Sequence, residues 1–156
     1  MQNLIARSDA APLPSALKEV WSIICPGADN VTFNTQQAVG ILKRGISSRV
    51  INPLASYLSL GKGELVEILD LDRTTALRRA NKDQLLPRHS AEGVLRVLEM
   101  KNVALDVFES EDAALTWMRR PHSLLDGQSP VEAAATSFGS RAVKDILVAI
   151  QYGGVV

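Results

Sequence analysis

Arg73, Thr74, Thr75, Arg78, Arg79 and Lys82 fall within one short stretch, and their side chains are of the kind that read nucleic acid. The three guanidinium groups can fork onto guanine edges or phosphate oxygens, and Lys82 adds a compact point charge. The threonines offer hydroxyls to phosphate or base, and methyls to thymine. With only Ala76 and Leu77 as apolar anchors, a helix made of these residues suits a major groove. Asp72 stands just before it, where a carboxylate can accept from the free N–H groups of the first turn.

The rest of the chain holds no competing chemistry of comparable quality. His89 and His122 lie in separate segments and Cys25 is far from both, so neither a zinc ligand set nor a Cys–His pair is expected. Gly61-Lys62-Gly63 lacks the longer frame of a phosphate loop, and no glycine-rich loop follows a strand, so no nucleotide cofactor and no metal are expected. One cysteine cannot form an internal disulfide, which suits a reducing compartment. There is no cationic start followed by an apolar core at Met1, and no apolar run approaches the ~20 residues of a membrane span. A cytoplasmic protein with no membrane partner is the expectation.

The elements that must carry the Arg/Thr stretch begin at Glu64. Leu65, Ile68 and Leu69 fall at helical spacing and Leu71 can plug a tight turn, so Glu64 to Arg79 reads as two short helices joined at Asp70 to Asp72. The composition supports an all-α fold: 46% of 156 residues are hydrophobic, but only two Trp, two Tyr and three Phe are present, so aliphatic helix packing must form the core. Residues 1–14 read as an extended arm. Ser15 to Ile24 forms a helix with Leu17, Val20, Trp21 and Ile24 on one stripe, and a strand at Val31 to Phe33 is too short to make a sheet. Asn34, answered by Gln37, caps a helix through Arg44 with Val39, Ile41 and Leu42 inward. The next helix starts at Ser47 or Ser48 and carries Val50, Ile51, Leu54, Leu58 and Leu60, with Pro53 in its first turns.

Beyond Lys82, Leu85-Leu86-Pro87 turns the chain into a long helix from about Ser90 to Glu109. Its apolar face is Val94, Val97, Leu98, Leu105 and Phe108. Ser110, Glu111 and Asp112 start another helix, Ser129-Pro130-Val131-Glu132 is a capping box, and Thr136 or Ser137 begins a last helix with Val143, Ile146, Leu147 and Ile150 inward. The formal net charge is zero but unevenly spread. Residues 43–101 hold 11 basic and 7 acidic groups, whereas residues 102–156 hold 4 and 7. A basic middle beside an acidic end points to two different partners. Three segments follow: an arm and short helix over 1–33, whose Trp21, Val20 and Leu17 stripe suits a dimer contact or a fold back onto the same chain, a DNA-binding helix-turn-helix over 34–101, and a helical partner-binding segment over 102–156.

The residues of the last segment resemble a known family. A-x3-W-M at Ala113 to Met118, R-P-H-S-L at Arg120 to Leu124, G-Q-S-P at Gly127 to Pro130 and V-x-D-I-L-x-x-I-x-Y-G from Val143 to Gly153 together resemble the toxin-binding domain of Xre/MbcA/ParS antitoxins. The preceding stretch resembles the Xre-like helix-turn-helix, and the likeness covers roughly Asn34 to the end. Two positions depart from it. Asp70 stands where a small residue or glycine is usual, and His122 stands where Asn is usual, so no hydrogen bond from the His122 side chain is assumed.

The resemblance implies a non-enzymatic antitoxin of a type II toxin–antitoxin module, whose partner is a RES-domain toxin that consumes NAD or transfers part of it. It also implies a homodimer within a larger toxin–antitoxin complex that represses its own promoter by binding operator DNA. Arg119, Arg120, His122, Leu124 and Gly127 are then expected to touch the toxin. The resemblance places Tyr152, Gly153, Gly154, Val155 and Val156 at the entrance of the toxin's active site, as a plug whose terminal carboxylate can stand in for pyrophosphate. A plain helix-turn-helix transcription factor with a helical dimerisation tail is the alternative, and a structural adaptor without specific DNA binding is a third class. An adjacent reading frame for a RES-type toxin separates the first from the others.

Overall fold

The computed structural model describes residues 13–27, 34–75, 78 and 82–154, and divides the chain into two compact units, Met1–Ala91 and Glu92–Val156. The expected all-α class holds. Among the described residues every regular element is a helix, apart from an isolated antiparallel bridge between Ser47 and Leu85. The strand expected at Val31 to Phe33 lies outside the described residues, as do Arg79, Val155 and Val156.

In the first unit, α1 (Ser15–Ile24) buries Leu17, Val20, Trp21 and Ile24 against α3 (Ile51–Leu58) and the 3-10 turn Ser48–Val50. The stripe is covered by its own chain: Trp21 is 6% exposed and Val20 0%. Of the two readings of the Leu17, Val20 and Trp21 stripe, the structure shows the fold back onto the same chain. Between them lies α2 (Thr35–Arg44), opened by the expected reciprocal cap, in which the Gln37 amide donates to Asn34 Oδ1 at 2.8 Å and the Asn34 amide to Gln37 Oε1 at 3.2 Å. Of its expected apolar side only Ile41 is buried, and Val39 is 48% exposed. Pro53 fits the first turn of α3, where a missing N–H leaves no bond unmade.

The bihelical stretch is held by short polar bonds rather than by core alone. After α4 (Lys62–Ile68), Leu69 and Leu71 are buried, Leu71 in the turn as expected. Leu65 and Val66, not Ile68, form the buried side of α4. The chain following the Arg/Thr stretch is pinned beside α3: the Ser48 amide donates to Gln84 O and the Leu86 amide to Ile46 O, each at 2.8 Å. Asp83 accepts from Ser47 Oγ and pairs with Arg49 at 3.1 Å. The Ser90 hydroxyl, fully buried, donates to Leu69 O at 2.8 Å, which ties the tight turn to the start of α5 (Arg88–Phe108).

The second unit begins within α5. Glu109 takes the left-handed conformation at φ 55°, and Ser110 caps α6 (Glu111–Arg119) by accepting from the Ala113 amide at 3.2 Å. Glu111 and Asp112 lie in the first turn, beside the positive end of the helix dipole. A 3-10 turn, Ser123–Leu125, leads to α7 (Pro130–Ala134), whose capping box is closed by Ser129 and Glu132. Thr136 caps α8 (Ser137–Gln151), which buries Val143, Ile146 and Leu147 and packs on α7 and the 3-10 turn. Gly139 sits where the two helices meet, and a Cβ there would stand 1.9 Å from Ala133 O. Ile150, expected inward, is only half-buried.

Candidate nucleic-acid and partner interfaces

Asp72 does what its position suggests: its Oδ2 accepts from both the amide and the hydroxyl of Thr75, each at 2.9 Å. Those donors hold its carboxyl below the usual carboxylate range, the Thr75 amide contributing most. The cap alters the expected DNA-facing set, because the Thr75 hydroxyl is committed to Asp72 and the residue is half-buried. Arg73 reaches back to the Glu67 carboxylate, both side chains being largely exposed. An exposed pair of this kind is worth about 0–1 kcal/mol, so it does not lock the guanidinium away from a phosphate. Thr74, Arg78 and Lys82 are exposed. Asp70 adopts φ 55°, the left-handed conformation that explains why a glycine is at home there, and its carboxylate is 96% exposed.

In the second unit, aromatic rings run from Phe108 to Trp117, 5.6 Å between centroids, and on to the His122 ring at 6.2 Å, edge to face. His122 organises the loop that follows. Its carbonyl accepts from the Leu125 and Gly127 amides at 3.0 and 3.1 Å, its amide donates to Gln128 O at 3.0 Å, and its Nδ1 accepts from the Leu124 amide at 3.2 Å. The His122 ring nitrogen thus supplies an acceptor at a point where the oxygen of an Asn could supply one as well. Around that hub, Leu125 is buried while Leu124 stands 60% exposed, and Gly127 takes a left-handed φ of 80° that closes the loop. Arg120 is exposed, whereas Arg119 is partly buried with its Nε donating to Leu115 O at 3.2 Å.

The expected plug has a structural task as well. The Gly153 amide donates to Ile150 O at 3.1 Å and the Gly154 amide to Ala149 O at 2.6 Å, which satisfies two of the carbonyls left open at the end of α8. Gly153 reaches this arrangement at φ 77°, where a side chain would be strained. Tyr152 caps the helix and leaves its ring 79% exposed. Two features were not singled out by sequence reasoning. Phe138, on the first turn of α8, is 81% exposed, and Lys101 is 3% exposed beneath α6 with its ammonium 3.7 Å from Glu111. Burial pushes the Lys101 ammonium below the usual lysine range, and the Glu111 carboxylate only partly offsets it. The apolar periodicity of α5 was the one available signal for Lys101.

Among the described residues, no group of three His, Cys, Asp or Glu side chains could hold a metal, and no helix is long and apolar enough to cross a membrane. One helical unit thus carries a capped Arg/Thr turn, and the other a loop and helix end with exposed apolar side chains. Residues 103–153 match the family model of the antitoxin Xre/MbcA/ParS C-terminal toxin-binding domain. The chain is also similar to a protein named Antitoxin Xre from Yersinia enterocolitica, 26% identical over 116 residues that cover 74% of this chain and 78% of that one. A second Antitoxin Xre, from Photorhabdus laumondii, is 23% identical over 114 residues, 72% and 77% of the two chains. The Prs ADP-ribosylating antitoxin of a Sphingobium species is 23% identical over 124 residues, 74% and 78%. Residues 103–153 thus carry the likeness to the Xre/MbcA/ParS toxin-binding domain, and about three quarters of the chain is similar to proteins named as antitoxins.

Proposed function

We propose that this antitoxin neutralises a RES-domain toxin by covering its NAD site, and that it binds its own promoter as a dimeric repressor in the cytoplasm. It acts by occupying a site, without catalysis of its own. The observation that carries the toxin arm is the match of residues 103–153 to a toxin-binding domain, joined to the exposed features of that unit: Arg120, Leu124 and Tyr152 stand clear of its core. The word ADP-ribosylating in the name of one relative fits a partner that handles NAD, whose ADP-ribose half is the group such chemistry transfers. The promoter arm is supported by the Asp72-capped turn, which offers Thr74 and Arg78 to solvent at the start of a helix. A guanidinium and a hydroxyl in these positions are groups that bond phosphate oxygens.

Co-expression with a RES-domain toxin tests the reading. Cellular NAD should fall when the toxin is expressed alone and hold when this chain is present, and purified chain should shift the promoter fragment in a salt-dependent way. NAD that falls equally with and without the chain would remove the toxin arm. Equal affinity for promoter and unrelated DNA would remove the repressor arm.

A further inference from the structure

We infer that the outward face of α8 is a self-complementary seam through which two copies of this chain pair antiparallel. The assignment rests on the dimeric part of the reading above and names the surface that part requires. Phe138, Arg141, Asp145, Val148 and Tyr152 follow one another at spacings of three and four, so they share one stripe on the side of the helix away from Val143, Ile146 and Leu147. All five are exposed, the apolar ones conspicuously so: Phe138 81%, Val148 40% and Tyr152 79%. A helix that already buries one apolar stripe has no need of a second for its own unit.

The charges select the occupant. When two such helices run antiparallel about a two-fold axis at the level of Val143, Phe138 of each copy falls opposite Val148 of the other, and Arg141 opposite Asp145. The axis repeats both pairs, so one patch meets itself with two opposite-charge pairs inside and two apolar pairs outside, the arrangement that an isologous interface demands. Tyr152 lies one turn beyond Val148, outside both pairs, and stays open to the toxin. Within one helix, Arg141 and Asp145 are four residues apart in the weaker order, cation before anion, and among the described residues neither forms an ion pair. Among the described residues both are therefore available to a second copy. A partner of a single charge sign would gain from one of them and be repelled by the other.

Light scattering and sedimentation of the full chain test the seam through Phe138→Glu, Arg141→Glu, Asp145→Arg and the double reversal Arg141→Glu/Asp145→Arg. Each single change should weaken self-association by about tenfold or more, and the double reversal should restore it, because the charges again face their opposites. Circular dichroism shows whether each variant folds; should Phe138→Glu not fold, the two exposed charged positions still decide. A wild-type chain that stays monomeric overturns both the seam and the dimeric reading. A dimer that all single variants leave unchanged overturns the seam alone. Unchanged self-association with lost toxin capture also overturns it, and gives the face to the toxin.

Discussion

His122 shows how one residue type can stand in for another. Its Nδ1 must be unprotonated to accept from the Leu124 amide, so the cap depends on an acceptor at that point, which the oxygen of Asn also supplies. His122→Asn should therefore keep the loop, while His122→Ala should cost about 1 kcal/mol in chemical denaturation and weaken toxin capture by freeing Leu124. Equal stability of the two variants would mean that the hydrogen bonds of the His122 backbone hold the loop unaided. Lys101 and Glu111 make an unequal pair, because the ammonium is buried and the carboxylate is 31% exposed. Glu111→Gln leaves a buried cation with less compensation and should cost about 1–3 kcal/mol, whereas Lys101→Met leaves a carboxylate that water can reach and should be neutral or stabilising. The pH dependence has a definite sign. Since folding lowers the Lys101 pKa, the folded chain binds fewer protons between that lowered value and the ordinary 10.5, and stability rises as pH climbs through the window. Below it the penalty is fully present. Lys101→Met should abolish this alkaline gain, and denaturation curves at neutral pH and near the ordinary lysine value measure it.

Among elements, the helix starts were legible in the sequence because capping is a local event. Asn34 with Gln37, Asp72, Ser110 and Ser129 with Glu132 each meet a partner within three residues, as their spacing suggests. Which side chains fill the core is set by neighbours distant in sequence, and there the reading slipped. Val66 replaced Ile68 inside α4, and Val39 turned out. Phe138 was passed over because it lies off the apolar stripe of α8, which is also what leaves it exposed. The contact of α7 with α8 was hidden for the same reason, since nothing in the sequence says that Gly139 faces a carbonyl. In an ordinary helix Gly→Ala gains about 1 kcal/mol. Here the new methyl would meet Ala133 O, a backbone atom that cannot rotate aside, so Gly139→Ala should instead destabilise by about 1–3 kcal/mol. Thermal melting measures the sign, and an increase in melting temperature would show that α7 can shift freely.

At the scale of the whole molecule, the two units differ in charge balance. The first holds 11 basic and 8 acidic residues, the second 6 and 9. The proposed phosphate contacts lie in the first, and their contribution should be separable from neutralisation by mutation. Arg78→Ala removes an exposed guanidinium from the capped helix, and Arg79→Ala tests the neighbouring position. If either arginine forks onto a base, its loss should cost about 1–3 kcal/mol of promoter affinity and relax preference at one base pair; a phosphate contact should instead lower the salt slope by about one. Neutralisation of the toxin should be unchanged in both. The reciprocal variant requires care, because deleting residues 152–156 also strips Gly153 and Gly154 from the end of α8 and so tests helix capping together with the plug. Deleting only Val155 and Val156 keeps that closure. If those two residues enter the toxin's cleft, the shortened chain should still capture the toxin and shift the promoter, while NAD consumption returns. Full neutralisation by the shortened chain would transfer the blocking role to the loop around His122, where Arg120 and Leu124 are the exposed groups to substitute next.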